Sequence, residues 1–146
     1  MKKYTQEEYD SFKEIEGVRQ CPTGNYTQVS SFGERASFGE RASFGKGASF
    51  GEWTSFGEGA SFGEGASFEN IGKAKSGRPF LTISGGSEGR TSYAFNLEEG
   101  IYIRSGCFFG TLEEFISAVK KTHKGNSHER FYLGWVELIK IYCKED

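Results

Sequence analysis

Two cysteines and two histidines in the C-terminal half of the chain are the side chains best suited to chemistry: Cys107, His123, His128 and Cys143. A cysteine beside a histidine base can act as a nucleophile, and the spacing of the two histidines is compatible with a zinc site. However, the chain has no Cys-x-x-Cys pair, and nothing in the sequence orients Cys107 toward His123. We interpret Cys107 as a buried strand residue and Cys143 as the end of an apolar helix. We therefore predict no catalytic residue, no metal and no cofactor, and we do not expect an enzyme.

A basic cluster in the same half of the chain is suited to binding an anion. Its members are Arg90, Arg104, Lys120, Lys121, His123 and Lys124. From this cluster we predict four ligand or partner contacts: Arg90, Arg104, His123 and Lys124. The candidate ligand is a small anion such as a nucleotide, and the alternative is a solvated basic face. The preceding stretch SGGSEGR lacks the Lys-Ser/Thr pair of a phosphate-binding loop, so we interpret it as a hairpin connection.

The overall composition excludes several classes of protein. The chain of 146 residues has 18 basic and 20 acidic residues, so it has no polybasic surface and general nucleic-acid binding is not expected. No apolar run is long enough to cross a membrane. No apolar stretch follows the two lysines in MKKYTQEEYD, so we predict no signal peptide. Three widely spaced cysteines argue against a disulfide framework and favour a reducing cytoplasm.

A six-residue period dominates residues 24–68. Phenylalanine occurs at Phe32, Phe38, Phe44, Phe50, Phe56, Phe62 and Phe68, with a small residue two places before each and a glycine after all but the last. This period does not fit one face of a helix, and regular glycines would interrupt a continuous strand. Since residues i and i−2 of a strand share a face, each phenylalanine and its small neighbour are expected to point inward. The glycine then serves a corner where side chains crowd or where φ is positive.

The pattern resembles the hexapeptide repeat of left-handed β-helices, in which three hexads form one triangular coil of eighteen residues. That family usually has Leu, Ile or Val where this chain has Phe. The resemblance implies a short left-handed β-solenoid with three columns of stacked rings. The columns are Tyr26, Phe44 and Phe62; Phe38 and Phe56; and Phe32, Phe50 and Phe68. On the outer surface we predict partner contacts at Arg35 and Trp53.

The flanking segments are predicted to contain helices and strands. Thr5 and Glu8 form a capping box and Gly17 is a natural stop, so we expect a helix over residues 5–17 that covers the first coil. Strands are predicted at residues 79–84 and 91–97, and a third runs from residue 101 toward residue 109. A helix follows from Thr111 to about residue 122, with its apolar face inward.

The last helix, capped by Asn126 or Ser127, has an apolar surface too wide for a three-stranded sheet to cover. It therefore packs on the solenoid or forms a subunit interface, which we expect to make the protein a dimer or trimer. The predicted interface residues are Phe131, Trp135, Leu138, Ile139 and Tyr142.

A second resemblance covers most of the chain. The segment CPTGNYT, the SFGE hexads and the segment RTSYAFNLEEGIYIRSGCFFGTLEEFISAVKKTH resemble uncharacterised β-solenoid proteins of gut bacteria and their phages. This resemblance implies an accessory protein of a mobile genetic element, and it implies no chemistry.

Together these observations predict a mainly β protein with four parts. Residues 1–22 form a helical cap, residues 23–70 the solenoid, residues 71–78 a linker, and residues 79–146 a small α+β domain. The predicted function is non-enzymatic antagonism of a bacterial defence system, either by binding a defence protein such as a CRISPR effector or by sequestering a nucleotide signal. The alternatives are a hexapeptide-type acyltransferase and a structural oligomer component. The repeat contains no histidine to serve as the base of acyl transfer.

Overall fold

The chain divides into two compact units, Met1–Gly77 and Arg78–Asp146. The computed structural model describes residues 1–75, 79–86 and 89–144. The fold is mainly β, as predicted, with short strands in the first unit and longer strands with two helices in the second. Within the described ranges, no helix combines the length and the apolar character that crossing a membrane requires.

The N-terminal unit consists of one short helix and a series of two- to four-residue strands. These are α1 (Gln6–Asp10), β1 (Glu14–Ile15), β2 (Val18–Cys21), β3 (Asn25–Tyr26), β4 (Ala36–Phe38), β5 (Ser43–Phe44), β6 (Ser55–Phe56), β7 (Ser61–Phe62), β8 (Ser67–Phe68) and β9 (Gly72–Lys73). The sheets have the strand orders β1-β2-β4-β6, β3-β5-β7 and β8-β9. Strands of the repeat pair in parallel eighteen residues apart, since Phe44 lies opposite both Tyr26 and Phe62. This register is the predicted one and is confirmed.

The three predicted ring columns are also confirmed. The Tyr26 and Phe44 rings stack with centroids 5.6 Å apart, and the Phe38 and Phe56 rings stack at 5.7 Å. In the third column the Phe50 ring lies 4.8 Å from that of Phe32. Rings of different columns meet edge to face, as Phe44 and Phe50 do at an interplanar angle of 87°. Both arrangements are favourable for aromatic pairs, so the interior of the unit is a continuous aromatic core.

From Gly39 to Gly63, the glycine after each phenylalanine is explained by crowding and not by a positive φ. A Cβ added to Gly57 would lie 2.6 Å from the backbone nitrogen of Glu40, and one added to Gly63 would lie 2.7 Å from that of Lys46. Neither glycine has a positive φ. The positive φ values instead occur three residues after a phenylalanine, at Arg35, Arg41, Gly47, Trp53, Gly59 and Gly65. Of the two predicted reasons for the glycine, crowding is therefore confirmed.

Alanine substitutions at two equivalent positions of the repeat test the crowding explanation, because they should change the free energy of unfolding in opposite directions. Gly57→Ala should destabilise the N-terminal unit by about 1–3 kcal/mol, because the backbone of Glu40 cannot move aside without disturbing the pairing. Gly33→Ala is the matched control, since no described atom lies within 4 Å of its added Cβ and its φ is not positive. It should stabilise the unit by about 0.4–1 kcal/mol, through a less flexible unfolded chain. Urea unfolding of the two variants measures both, and destabilisation of equal size would contradict the crowding explanation.

The predicted N-terminal helix is confirmed at its start and wrong in its length. Thr5 and Glu8 form the capping box, but α1 ends at Asp10. Glu16 and Gly17 both have positive φ, at 51° and 80°. Two such residues make the tight turn of a β-hairpin, so the chain forms β1 and β2 where the helix was expected to continue. Ile15, in the short strand β1, is 52% exposed.

The residues before the repeat cover its first rings, as predicted. The Tyr4 ring stacks on that of Tyr26 at 5.1 Å, and the Tyr9 ring stacks on that of Phe38 at 6.2 Å. Tyr9 is only 2% exposed. These two tyrosines therefore extend two of the ring columns beyond the repeat itself.

The repeat ends in a strand reversal at the boundary between the predicted solenoid and the predicted linker. Glu69 and Asn70 both have positive φ, and β9 then pairs antiparallel with β8. Glu69 stands where the earlier hexads have glycine, and its buried carboxylate accepts a hydrogen bond from the backbone N–H of Trp53 at 3.1 Å. Residues 72–73 are therefore a strand and not a linker, and the linker residues 76–78 lie outside the described ranges.

The C-terminal unit is an antiparallel sheet covered on one face by two helices. Its elements are β10 (Phe80–Ser84), β11 (Thr91–Leu97), β12 (Gly100–Ser105), β13 (Phe108–Thr111), α2 (Leu112–Thr122) and α3 (Ser127–Tyr142). The sheet has the order β10-β11-β12-β13. The predicted third strand is thus two strands, because Gly106 has a φ of 59° and turns the chain back. The helix starts are confirmed: Thr111 and Glu114 form a capping box, and the Asn126 side chain accepts a hydrogen bond from the Glu129 N–H.

The core of this unit corrects the predicted subunit interface. Trp135 and Ile139 are 1% and 0% exposed and pack with Ala94 and Ile103 of the sheet. Their side chains are not accessible to a second copy, because a fourth strand and α2 supply the cover that three strands alone lack. Phe131 packs partly against the same core. The Tyr142 hydroxyl donates a hydrogen bond to the Phe80 carbonyl at 3.0 Å. Leu138 is 56% exposed and is the most accessible of the predicted interface residues.

Candidate functional site

A cavity of about 290 Å³ opens between the sheet and the helices of the C-terminal unit. It is lined by Arg90, Ser105, Cys107, Phe108, Phe115, Ala118, Val119, Thr122, His123 and Tyr132. Arg90 immediately precedes β11, and Ser105, Cys107 and Phe108 surround the β12–β13 turn. His123 caps the C-terminus of α2. The fold therefore brings together two predicted ligand contacts, Arg90 and His123, that are far apart in sequence.

Aromatic rings form much of the cavity wall. The Phe115 ring lies 5.6 Å from that of Phe108 and 5.7 Å from that of Tyr132. The His123 ring lies 5.7 Å from that of Tyr132, at an interplanar angle of 34°. Phe115 and Tyr132 are each 3% exposed, so the inner wall is rigid and apolar. Such a wall binds the apolar part of a ligand, and the few polar groups determine its orientation.

The side chain of Arg90 occupies space that is available only because residue 106 is a glycine. Its guanidinium lies against Gly106, so closely that a Cβ at this position would overlap Nη1. Gly106 also has a φ of 59°, a conformation that other residues rarely adopt. The turn that separates β12 from β13 thus also creates the space that the Arg90 side chain occupies.

His128 and Lys124 lie outside the cavity lining. The His128 ring is 5.3 Å from that of His123, whereas Lys124 is exposed. The role of Lys124 as a ligand or partner contact stays a prediction. Cys107 is exposed in the β12–β13 turn, so its interpretation as a buried strand residue is wrong. Across the part of the chain that the structure describes, no group of three or more His, Cys, Asp or Glu side chains is arranged to hold a metal ion.

Arg104 does not belong to the cavity, and its prediction as a ligand contact is corrected. It is 4% exposed, and its guanidinium lies 4.4 Å from the centre of the Tyr93 ring. Arg104 pairs with Tyr93 across the sheet, whereas its neighbour Ser105 pairs with Ser92. Successive strand residues point to opposite faces, so the serine faces the cavity and the arginine faces away from it. The buried guanidinium makes a cation–π contact instead of meeting a ligand.

Arg35 and Trp53 occupy equivalent corners of successive turns of the repeat. The Arg35 N–H donates a hydrogen bond to the carbonyl of Glu52 at 2.9 Å. Arg35 is exposed and Trp53 is half-buried. Both have a positive φ, a conformation that costs a non-glycine residue about 1–2 kcal/mol. Their role as partner contacts stays a prediction.

A second cavity, of about 360 Å³, lies on the N-terminal unit. It is lined by Gln20, Cys21, Pro22, Ser37, Phe38 and Gly39, none of which carries a charge. Burial raises the pKa of Cys21 to about 12, so the thiol stays protonated and is a poor nucleophile. This cavity offers no recognisable chemistry.

Sequence reasoning missed the aromatic wall of the first cavity. Phe115 was correctly predicted to point inward, but Phe108 and Tyr132 were not recognised as its neighbours in a site. The signal in the sequence was the Ser105-Gly106 pair between two apolar stretches, which is typical of a tight turn.

Comparison with known proteins adds no relative to this description. No protein-family model, no curated protein and no solved structure matches the chain. The functional argument therefore depends on the geometry of the cavity.

Proposed function

We propose that this protein is a non-enzymatic binding protein that captures a small anionic ligand in the cavity of its C-terminal unit. The observation that supports this most directly is the cavity itself, which joins Arg90 and His123 to an apolar, aromatic wall. An arginine at such a wall binds an anion through charge-assisted hydrogen bonds, which are stronger than those between neutral groups. The apolar wall contributes affinity by removing ligand surface from water.

The N-terminal unit is proposed to be a short left-handed β-solenoid that serves as a rigid scaffold. The parallel pairing at eighteen residues and the stacked ring columns support this interpretation. Arg35 and Trp53 are its proposed partner contacts. We further propose that the protein is a homo-oligomer, with Leu138 on the exposed side of α3 as the remaining candidate contact.

The proposed biological task is interference with a bacterial defence system by an accessory protein of a mobile element, inside the bacterial host cell. Of the two predicted routes, sequestration of a nucleotide signal is better supported than binding of a CRISPR effector, because the cavity has both charge and aromatic surface. The motivation for the defence context is the resemblance of the chain to phage and gut-bacterial proteins. The test is phage growth in a bacterial host whose defence uses a nucleotide signal, with and without this protein. Protection of the phage by a variant that lacks the Arg90 charge would contradict the proposed task.

Native mass spectrometry of the protein purified from a bacterial host, compared with the denatured sample, is the first test of binding. We expect an oligomer with additional mass in the nucleotide range, at one ligand per chain. A retained molecule that is converted to product by catalytic amounts of protein would overturn the proposal in favour of an enzyme.

Two variants that each remove one positive charge show whether the ligand binds in the cavity or on the exposed basic face. Arg90→Gln should weaken the binding of adenosine monophosphate at least about tenfold, because a hydrogen bond to a charged group is lost. Lys124→Gln is the matched control, and it should change the affinity less than about twofold, because an exposed charge is well screened. Isothermal titration calorimetry measures both. Equal losses in the two variants would indicate a diffuse basic surface and not a site.

A backbone variant tests whether Gly106 positions Arg90. Gly106→Ala and the control Gly125→Ala both place a side chain at a positive φ, so each should lower the free energy of unfolding by about 1–2 kcal/mol. Only Gly106→Ala displaces the guanidinium of Arg90, since no described atom lies within 4 Å of the added Cβ at Gly125. The affinity for adenosine monophosphate should therefore fall in the first variant alone. A similar fall in both would show that strain in the unit, and not the placement of Arg90, affects binding.

A further inference from the structure

We propose that the cavity selects one planar aromatic ring system with a single anionic group, of the size of a nucleoside monophosphate or smaller. This inference rests on the proposed function and names the chemical class of its ligand. The ring lies against Phe108, Phe115 and Tyr132, and the anionic group binds Arg90 with His123 beside it.

The size of the cavity sets the upper limit of the ligand. Its volume of about 290 Å³ is at the lower end of the range for small-molecule pockets, which is about 300–1,000 Å³. A single ring system with a short polar arm fits this space, whereas a dinucleotide needs a substantially larger one. We therefore expect cyclic and linear dinucleotides to be too large to be enclosed by one cavity.

The arrangement of the aromatic side chains favours a ring over an aliphatic ligand. The Phe115 ring meets that of Tyr132 at 87°, and it meets that of Phe108 at 57°. Rings set at such angles present both faces and edges to the space between them. A planar ligand can then stack on one ring and meet the edge of another, which are the two preferred geometries of aromatic pairs.

The described lining of the cavity contains one permanent charge. Among the described residues of the lining, Arg90 is the only side chain with a permanent charge, and none is a carboxylate. Ser105 is 7% exposed, and its hydroxyl is already paired with that of Ser92 at 2.7 Å. One anchoring cation suits a ligand with one anionic group. A ligand with several phosphates would bring more negative charge than this lining can pair.

Four probes titrated into the full-length protein test the inference: adenosine monophosphate, ribose 5-phosphate, adenosine, and cyclic di-adenosine monophosphate. We expect the monophosphate to bind about tenfold or more tightly than ribose 5-phosphate, since it alone combines a stacking base with the anion. Adenosine should bind about as weakly as ribose 5-phosphate, because it has no anionic group to bind the Arg90 guanidinium. The dinucleotide should bind more weakly than adenosine monophosphate.

Two further measurements locate the binding. Phe108→Leu keeps an apolar side chain but removes the ring. It should therefore lower the affinity for adenosine monophosphate and leave the weaker affinity for ribose 5-phosphate unchanged. Bound adenosine monophosphate should also slow alkylation of Cys107, which lines the cavity, but not of Cys143, which does not. The second readout uses the unmodified chain, so it does not depend on the folding of a variant.

The outcomes distinguish the two proposals. Equal affinity for adenosine monophosphate and ribose 5-phosphate would overturn the aromatic ligand and leave the capture of an anion intact. Tighter binding of the dinucleotide would overturn the size limit. If none of the anions binds and Cys107 is not protected, both the proposed function and this inference fail.

Discussion

Phe50→Ala should lower the free energy of unfolding of the N-terminal unit by about 3–5 kcal/mol. Phe50 is 1% exposed, and its ring lies within about 6 Å of the rings in all three columns. The side chain is removed from a site whose neighbours belong to rigid, paired strands. The cavity therefore cannot collapse, and its cost adds to the lost burial of apolar surface.

Two controls make this prediction specific. Phe50→Leu keeps most of the volume and should cost less than about 1.5 kcal/mol. Phe62→Ala removes the same ring from a half-buried position and should cost less than Phe50→Ala. Urea unfolding followed by far-ultraviolet circular dichroism gives the three values. If Phe62→Ala were the more damaging substitution, Phe50 would not be the centre of the core.

Raising the pH from about 9 to about 12 should destabilise the N-terminal unit by several kcal/mol. Burial raises the pKa of the Cys21 thiol from 9.0 to about 12, and burial raises that of the Tyr9 hydroxyl from 10.0 to about 12. Burial also raises the pKa of Tyr26. Each tenfold rise in proton affinity on folding is equivalent to about 1.4 kcal/mol of stability, so each of these buried groups stabilises the folded unit while it keeps its proton.

The sign follows from the number of protons bound in each state. Between the unfolded and folded pKa values, the folded protein keeps a proton that the unfolded chain releases. The stabilisation is therefore complete below pH 9 and is lost as the pH rises toward 12. Cys21→Ala should remove the loss between pH 9 and 10, where the thiol titrates before the tyrosines do. An unchanged dependence on pH in this variant would contradict the assignment to Cys21.

The periodic part of the fold could be predicted from the sequence because one physical rule repeats. Each hexad places a ring inward, and the resemblance to left-handed β-helices implies three hexads in each coil. Together they predict the columns and the eighteen-residue register, and the structure has both. The capping boxes at Thr5 and Thr111 were equally readable, since two side chains three residues apart satisfy the first backbone groups of a helix. Such local signals require no knowledge of the tertiary structure.

The errors occurred where two local signals competed or where the outcome depended on a single residue. Glu16-Gly17 was interpreted as a helix end, but the same pair also suits the turn of a hairpin. Gly106 was not recognised as a turn, so the fourth strand was missed and the apolar face of α3 was thought to be uncovered. The hairpin places Ile15 in an exposed strand, and the fourth strand completes the sheet on which Trp135 is buried.

The candidate site was predicted in part. Arg90 and His123 were identified by charge and do line one cavity. Arg104 was grouped with them on the same grounds, but strand alternation points it to the other face of the sheet. Charge and composition identify which residues can bind an anion, whereas the register of a strand decides which of them meet.

The strand reversal at Glu69 and Asn70 is relevant to fibril formation, because a regular repeat can add further strands at its open end. Short identical Ser-Phe segments stacked in parallel and in register have the geometry of cross-β assemblies, in which one chain templates the addition of the next. The antiparallel β9 occupies the edge of β8 to which a further parallel segment would add. A three-residue turn and one buried carboxylate thus terminate, at this edge, a pattern that could otherwise propagate from molecule to molecule.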